Sequence, residues 1–240
     1  MRYNWNWAIL VTEPYLVWML SGLMWTIAVS LVGWVIALVL GSIVGIARTV
    51  KQPLVRWIAA AYVEIFRNVP LLVQIFLWYF VLPELLPPAA GTWLKRDLPN
   101  AEFWTAAVSL GTYTACRVAE QLRAGIQAIA GGQASAGLAS GLTTVQVYRY
   151  ILLPVAFRII VPALTSEFLN IFKNSSLALT IGLLEVTSRS RQISEYTYQP
   201  IEIFTEATML YCLIALLVAT GMRIIEKRSA LPGMIAVEAR

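Results

Sequence analysis

Histidine is absent from the 240 residues, which removes imidazole metal sites, histidine proton relays and the Ser-His and Cys-His pairs of nucleophilic catalysis. Cysteine occurs only at Cys116 and Cys212, each inside an apolar stretch. Both read as free packing thiols that indicate no disulfide and no redox compartment. No G-x-x-x-x-G-K-[ST] stretch is present, so the chain lacks the phosphate loop with which to hold ATP. Charge is scarce as well: 13% of residues are charged against 59% hydrophobic, and the mean hydropathy is +0.70. That balance excludes an ordinary soluble domain and indicates an integral membrane protein. The formal net charge of +5 could suggest nucleic acid, but the basic residues lie in the loops between apolar runs. Membrane topology explains them there, so no nucleic-acid partner is expected; with no histidine, no metal or cofactor is expected either.

Five apolar runs are each long enough to cross the hydrocarbon core, at about 20–47, 57–82, 103–129, 159–184 and 204–225. Before the first, Trp5, Trp7 and Tyr15 alternate with Asn4, Asn6 and Pro14. Arg2 is the only basic residue at the start and no small-residue cleavage site follows, so this reads as an interfacial anchor rather than a signal peptide. An odd number of spans puts the termini on opposite faces. The face with the Arg48–Arg56 turn, residues 131–154 and the C-terminus holds ten Lys and Arg, against five on the other (Arg2, Lys95, Arg96, Arg189, Arg191). Positive charge stays inside, so the expected topology has a periplasmic N-terminus and a cytoplasmic C-terminus.

The intramembrane charges are unevenly shared. The first run has no ionisable residue and the fifth only Glu206 and Arg223, each close to an end, whereas the second, third and fourth carry ionisable groups further in that cost about 2.5–3.5 kcal/mol each on insertion scales. Glu64, Arg67 and Asn68 lie three and four apart on one face, with Gln74 two turns beyond Arg67; Arg117, Glu120 and Gln121 repeat the pattern. In the fourth run Glu167 is followed by Lys173, Asn174, Ser175 and Ser176. Two readings compete for Glu64, Glu120 and Arg123: internal ion pairs, Glu64 with Arg67 and Glu120 with Arg117, or part of a polar path. Arg117 and Lys173, near mid-span among small or polar neighbours, point to function. A small zwitterion needs a cation for its carboxylate, an anion or carbonyls for its ammonium, and hydroxyls or amides elsewhere. The candidate substrate residues are therefore Arg67, Asn68, Gln74, Arg117, Glu120, Glu167, Lys173, Asn174, Ser175 and Ser176.

Residues 131–154 interrupt the apolar pattern and read as helix, turn, helix: small residues to Ser140, Gly141 where a left-handed cap would stop the helix, and a restart before Pro154. Small residues on such an element let a partner's backbone approach closely. Ser135-Ala136-Gly137, three residues, Gly141, nine residues and Ile151-Leu152-Leu153-Pro154 resemble the docking loop of ABC importer permeases, with its E-A-A, three residues, G, nine residues, I-x-L-P pattern. Gly132-Gln133 is similar to the version in the polar amino-acid uptake branch. Ser135 stands where that family usually has Glu, so the acidic side chain is missing from that position here.

The resemblance covers about residues 15–230. Phe66-Arg67-Asn68-Val69-Pro70-Leu71-Leu72-Val73-Gln74 is similar to the family's R-x-x-P-L-L-V-Q, Glu120-x-x-Arg123-x-Gly125-Ile126 to its E-x-x-R-x-G-I, and Lys173-Asn174-Ser175-Ser176-Leu177 to its K-x-S-S-L. Arg117, where an aromatic is common, together with Leu231-Pro232-Gly233, most resembles glutamate/aspartate importer permeases. The resemblance implies an all-α type I importer transmembrane subunit, one permease domain over 1–240 in a bacterial inner membrane, without catalytic residues. It implies as partners an ATP-binding cassette ATPase dimer gripping Gln133, Ser135, Ala136, Gly137, Gly141, Leu142 and Pro154, a second and different permease chain, and a periplasmic binding protein that delivers an acidic amino acid. Pro70 and Pro162 are expected bend points. An ion-coupled carrier is disfavoured by the lack of an internal repeat; in a non-transporting scaffold the buried charges would be simple interhelical pairs.

Overall fold

The computed structural model describes residues 3–129 and 131–229. The Leu231-Pro232-Gly233 motif, and Arg2 and Arg240 of the charge count, lie outside the described residues. Eleven α-helices are described: α1 Tyr15–Ala47, α2 Pro53–Asn68, α3 Leu71–Phe76, α4 Leu82–Leu85, α5 Pro88–Thr92, α6 Ala101–Gln127, α7 Gly131–Ala139, α8 Thr144–Val147, α9 Leu153–Asn174, α10 Val186–Thr197 and α11 Pro200–Ser229.

The bundle is built on α6, whose Ala106, Ala107, Leu110, Ala115, Val118, Ala119 and Leu122 are buried. Lipid is as apolar as leucine, so helices in it associate through close packing rather than hydrophobic burial. Helix α1 supplies that closeness with small residues along one stripe. A Cβ on Gly41 would lie 2.6 Å from Val118 Cβ and 2.8 Å from the Ala115 carbonyl oxygen, and one on Gly45 would lie 2.9 Å from the Ala119 carbonyl oxygen. From the other side, Gly111 of α6 fits under Ile36. Ala59 and Val63 bring α2 onto Cys116 and Ala119, and Ile160 of α9 covers Gly125.

Three helical stretches are long and apolar enough to cross a membrane among the described residues: Tyr15–Ala47, Thr144–Ile181 and Pro200–Ser229. A fourth results if Pro53–Asn68 and Leu71–Leu85 count as one crossing. The continuous second run expected at 57–82 is broken there, with the two halves bent by 106°. Val69, ahead of Pro70, takes an extended conformation that ends α2, because proline's ring disfavours helix in the preceding residue. Pro70 is thus a bend, as expected. Pro162 is not a break: α9 continues through it, with the proline on the exposed side. Helix α6 is long but too polar to qualify by composition, and it is covered by its neighbours.

The polar stretch between the fourth and fifth runs, 187–202, is not a loop but largely helix α10. Val186, Ser190 and Ile193, spaced four and three, give it one buried face. The buried Glu185 carboxylate caps it, accepting from the amides of Ser188 at 2.7 Å and Thr187 at 2.9 Å. At the N-terminal end Trp5 stacks on Trp7 at 5.8 Å between ring centroids, both rings exposed. The buried Glu202 of α11 holds this segment by accepting from Tyr3 Oη and, at 2.8 Å, from the Asn6 amide.

Candidate substrate path and docking element

The charges of α6 and α9 make one interhelical cluster. Arg117 Nη2 donates to Tyr113 Oη at 2.6 Å, and the guanidinium lies 4.9 Å from the centre of the Tyr113 ring. Its Nη1 is 3.8 Å from Glu167 Oε2, close enough for Coulomb attraction but too far for a hydrogen bond. Gln121 Nε2 approaches the other Glu167 oxygen at 3.5 Å. The Arg117 side chain is 40% exposed and that of Glu167 only 12%. A partly exposed cation thus has donor capacity left over and is tethered loosely to a covered carboxylate.

The Arg117–Glu120 pair, one of the two competing readings, is not formed. Glu120 instead holds Arg48, at the end of α1, and Arg123 of its own helix. The close crossing at Gly41 and Gly45 brings the end of α1 within reach of Glu120, so Arg48 joins Arg123, itself one turn along α6, on that carboxylate. Glu120 therefore belongs to the end of the bundle nearest α7. The expected local pair in α2 does form: Arg67 Nη2 lies 3.6 Å from Glu64 Oε1, and Asn68 Nδ2 donates to Glu64 Oε2 at 3.1 Å, all on an exposed face.

Gln74 is buried and turned to the backbone, donating from Nε2 to the carbonyls of Val69 at 2.8 Å and Phe66 at 2.9 Å. It satisfies the carbonyls that α2 leaves free at the break. Of the polar run after Glu167, Ser175 Oγ donates to the Phe172 carbonyl and Ser176 Oγ to the Lys173 carbonyl, supporting the change from α9 into a 3-10 turn at Ser175–Ile181. Asn174 is half-buried, with no side-chain hydrogen bond among the described residues.

Lys173 does not join Arg117. It lines a cavity of about 390 Å³ between α9 and α11, with Ser176, Thr187, Thr208 and Tyr211. Tyr211 Oη lies 3.1 Å from Thr187 Oγ1 and donates to Glu185 Oε2 at 2.8 Å. Burial pushes the Glu185 carboxyl up from its ordinary value, while its hydrogen bonds from Thr187, Tyr211 and Ser188 act against that. Sequence reasoning missed Glu185, Thr187 and Tyr211. The available signal was a lone acid ahead of a Thr-Ser pair, the mark of a helix cap.

In the candidate docking element, α7 ends in a left-handed Gly141, at φ +89°. The Leu142 amide returns to the Gly137 carbonyl at 3.1 Å and closes the turn. A capping box between Thr143 and Gln146 restarts the helix at α8, which runs through a π turn at Tyr148–Leu152 into α9. Gln133, Ser135 and Ala136 are exposed along α7, whereas Gly137 faces inward, where a Cβ would lie 2.6 Å from Ile151 Cδ1. Leu142 is half-buried and Pro154 exposed.

Residues 37–230 match the family model described as binding-protein-dependent transport system inner membrane component. The chain is 45% identical over 241 residues to the glutamate/aspartate import permease protein GltJ of Escherichia coli, covering 97% of this chain and 98% of that one. It is 31% identical to GltK of Escherichia coli O6:H1, which carries the same description, over 95% of this chain and all of that one. A solved amino acid ABC transporter with histidines superposes with a TM-score of 0.76 at 26% identity, over 95% of this chain and all of that one. With α7 in the matched region and the same bundle in the solved transporter, this chain belongs to the binding-protein-dependent transport system inner membrane components.

Proposed function

We propose that the chain is one of two related permease subunits of an importer that moves glutamate and aspartate inward, driven by ATP hydrolysed on a separate pair of ATPase subunits. The observation that carries this reading is the 45% identity to GltJ along nearly the whole of both chains. The parallel similarity to GltK supports a partner permease of different sequence, and the family description supports a binding protein as the source of substrate. In this reading the bent pair α2–α4 and helix α6 are crossings too, five in all, with the N-terminus periplasmic and α7 cytoplasmic. Lipid surrounds the exposed faces of α1 and α11.

The mechanism follows from continuity. The ATPase grips the exposed side of α7, and α7 is packed on Val147 and Ile151. From Thr144 to Ile181 the chain is one helical rod, so motion of the docking element is carried about 30 Å, the length of twenty helical residues, to Glu167. There α9 faces Arg117. Shifting α9 lengthens or shortens the already loose 3.8 Å pair and so alternates the guanidinium between Glu167 and a substrate carboxylate. Lys173 on the same rod offers a second cation. The test is reconstitution with the ATPase, the second permease and the binding protein in proteoliposomes. ATP-dependent glutamate uptake is expected, with competition by aspartate stronger than by glutamine. Uptake driven by an ion gradient without ATP refutes the reading.

A further inference from the structure

We propose that a basic pocket beside the docking element binds the phosphate of an anionic phospholipid. The pocket, about 460 Å³, lies where α1, α2, the end of α6 and the α7–α8 element meet, and Arg48, Arg56 and Arg123 line it. Three guanidiniums face one carboxylate, Glu120, which is shared by Arg48 and Arg123. Arg48 gives only Nη1 to Glu120, and Arg56 has no acidic partner among the described residues. Arg123 is taken up by Glu120 and by Gln127 Oε1, at 2.6 Å, so the N–H groups left for a phosphate are those of Arg48 and Arg56, and guanidinium binds phosphate through parallel hydrogen bonds.

The surroundings identify a lipid as the source. Arg48 follows the last residue of the 33-residue apolar helix α1, at the depth where hydrocarbon gives way to headgroups. Arg56 begins α2 beside Leu54, Trp57 and Ile58, exposed at 62%, 69% and 56%. An aromatic next to a basic residue at a helix end is the pattern of the membrane interface. The phosphate would sit among the arginines and an acyl chain would leave it on the Trp57 side, about 100° round α2 from Arg56. Basic pockets between membrane helices hold anionic headgroups in this way. A lipid so placed ties α1 and α2 to Tyr148 and Leu152, which also line the pocket and lead from the docking element into α9.

The test uses the whole transporter, with its ATPase and second permease, in nanodiscs of phosphatidylcholine with and without phosphatidylglycerol, and native mass spectrometry to count retained lipid. Arg56→Gln is the informative variant, since Arg56 is exposed and breaks no ion pair; Arg56→Lys keeps the charge without the fork. Retained phosphatidylglycerol should fall about fivefold in Arg56→Gln, the effect of one basic side chain at an anionic surface, and less in Arg56→Lys, while phosphatidylcholine is unchanged. Equal retention in parent and Arg56→Gln overturns the proposal. So does displacement by millimolar inorganic phosphate without preference for phosphatidylglycerol, which assigns the pocket to a free anion. Loss of the ATPase from Arg56→Gln, with lipid retention unaltered, overturns it in favour of a protein contact.

Discussion

Replacing Arg117 with tyrosine separates a selective site from a structural ion pair. The guanidinium keeps N–H groups free beyond its bond to Tyr113, and its contact with Glu167 at 3.8 Å falls short of a hydrogen bond. A substrate side-chain carboxylate can therefore replace Glu167 as its partner. Hydrogen bonds to a charged group contribute about 1.5–3 kcal/mol, so losing the fork should weaken glutamate and aspartate at least tenfold, about 1.4 kcal/mol. Glutamine, which brings no second carboxylate, should lose much less. The complication is Glu167, whose covered carboxylate loses its cation. Unit charges about 4 Å apart attract by roughly 4 kcal/mol at an effective dielectric of 20, and stranding a buried charge can cost about 3–5 kcal/mol. The double variant Arg117→Tyr/Glu167→Gln removes that charge. ATP-driven uptake of labelled glutamate, competed by unlabelled glutamate or glutamine, is measured in both. Selective loss of the acidic substrates should persist in the double variant, with normal yield of folded protein. Equal loss for glutamate and glutamine, or recovery of glutamate uptake in the double variant, refutes the assignment and leaves Arg117 as the neutraliser of Glu167.

Three further outcomes follow from the geometry. Gly141→Val meets no neighbour within 4 Å but forces a branched residue to φ +89°, costing about 1–2 kcal/mol; stimulation of the ATPase by loaded binding protein should fall while the permease still folds. Gly41→Val places a Cβ against Val118 and the Ala115 carbonyl, so about 1–3 kcal/mol of overpacking should appear as a lower unfolding midpoint in detergent, with Gly41→Ala milder. Gln74→Leu leaves the Phe66 and Val69 carbonyls without their side-chain donor, and about 1–3 kcal/mol per orphaned group should lower thermal stability for every substrate condition alike. A selective change in substrate preference would instead put Gln74 in the site.

Local pattern carried much of the fold. The apolar runs foretold α1 and α11, a glycine after a small-residue stretch foretold the left-handed turn at Gly141, and Pro70 marked the bend. These are properties of neighbouring residues, set by hydropathy, by steric limits on φ and by the proline ring, so they can be read without a partner helix. Polar helix α10 escaped because its period was present but its hydropathy was low.

The charges were another matter. Spacing along one helix proposes partners a turn away, and for Glu64 with Arg67 that was enough, because their face is exposed and meets nothing else. Glu120 and Arg117 sit equally close in sequence, yet each takes a partner from another helix, Arg48 in one case and Glu167 in the other. Lys173 and Glu167, six residues apart, turn toward different neighbours. The order of residues alone sets which side chains are charged inside the bundle, and that such charges must be satisfied there. Which of them meet depended on how closely α1 and α6 cross at their glycines and on which side of α9 faces α6, and those are set only when the helices pack.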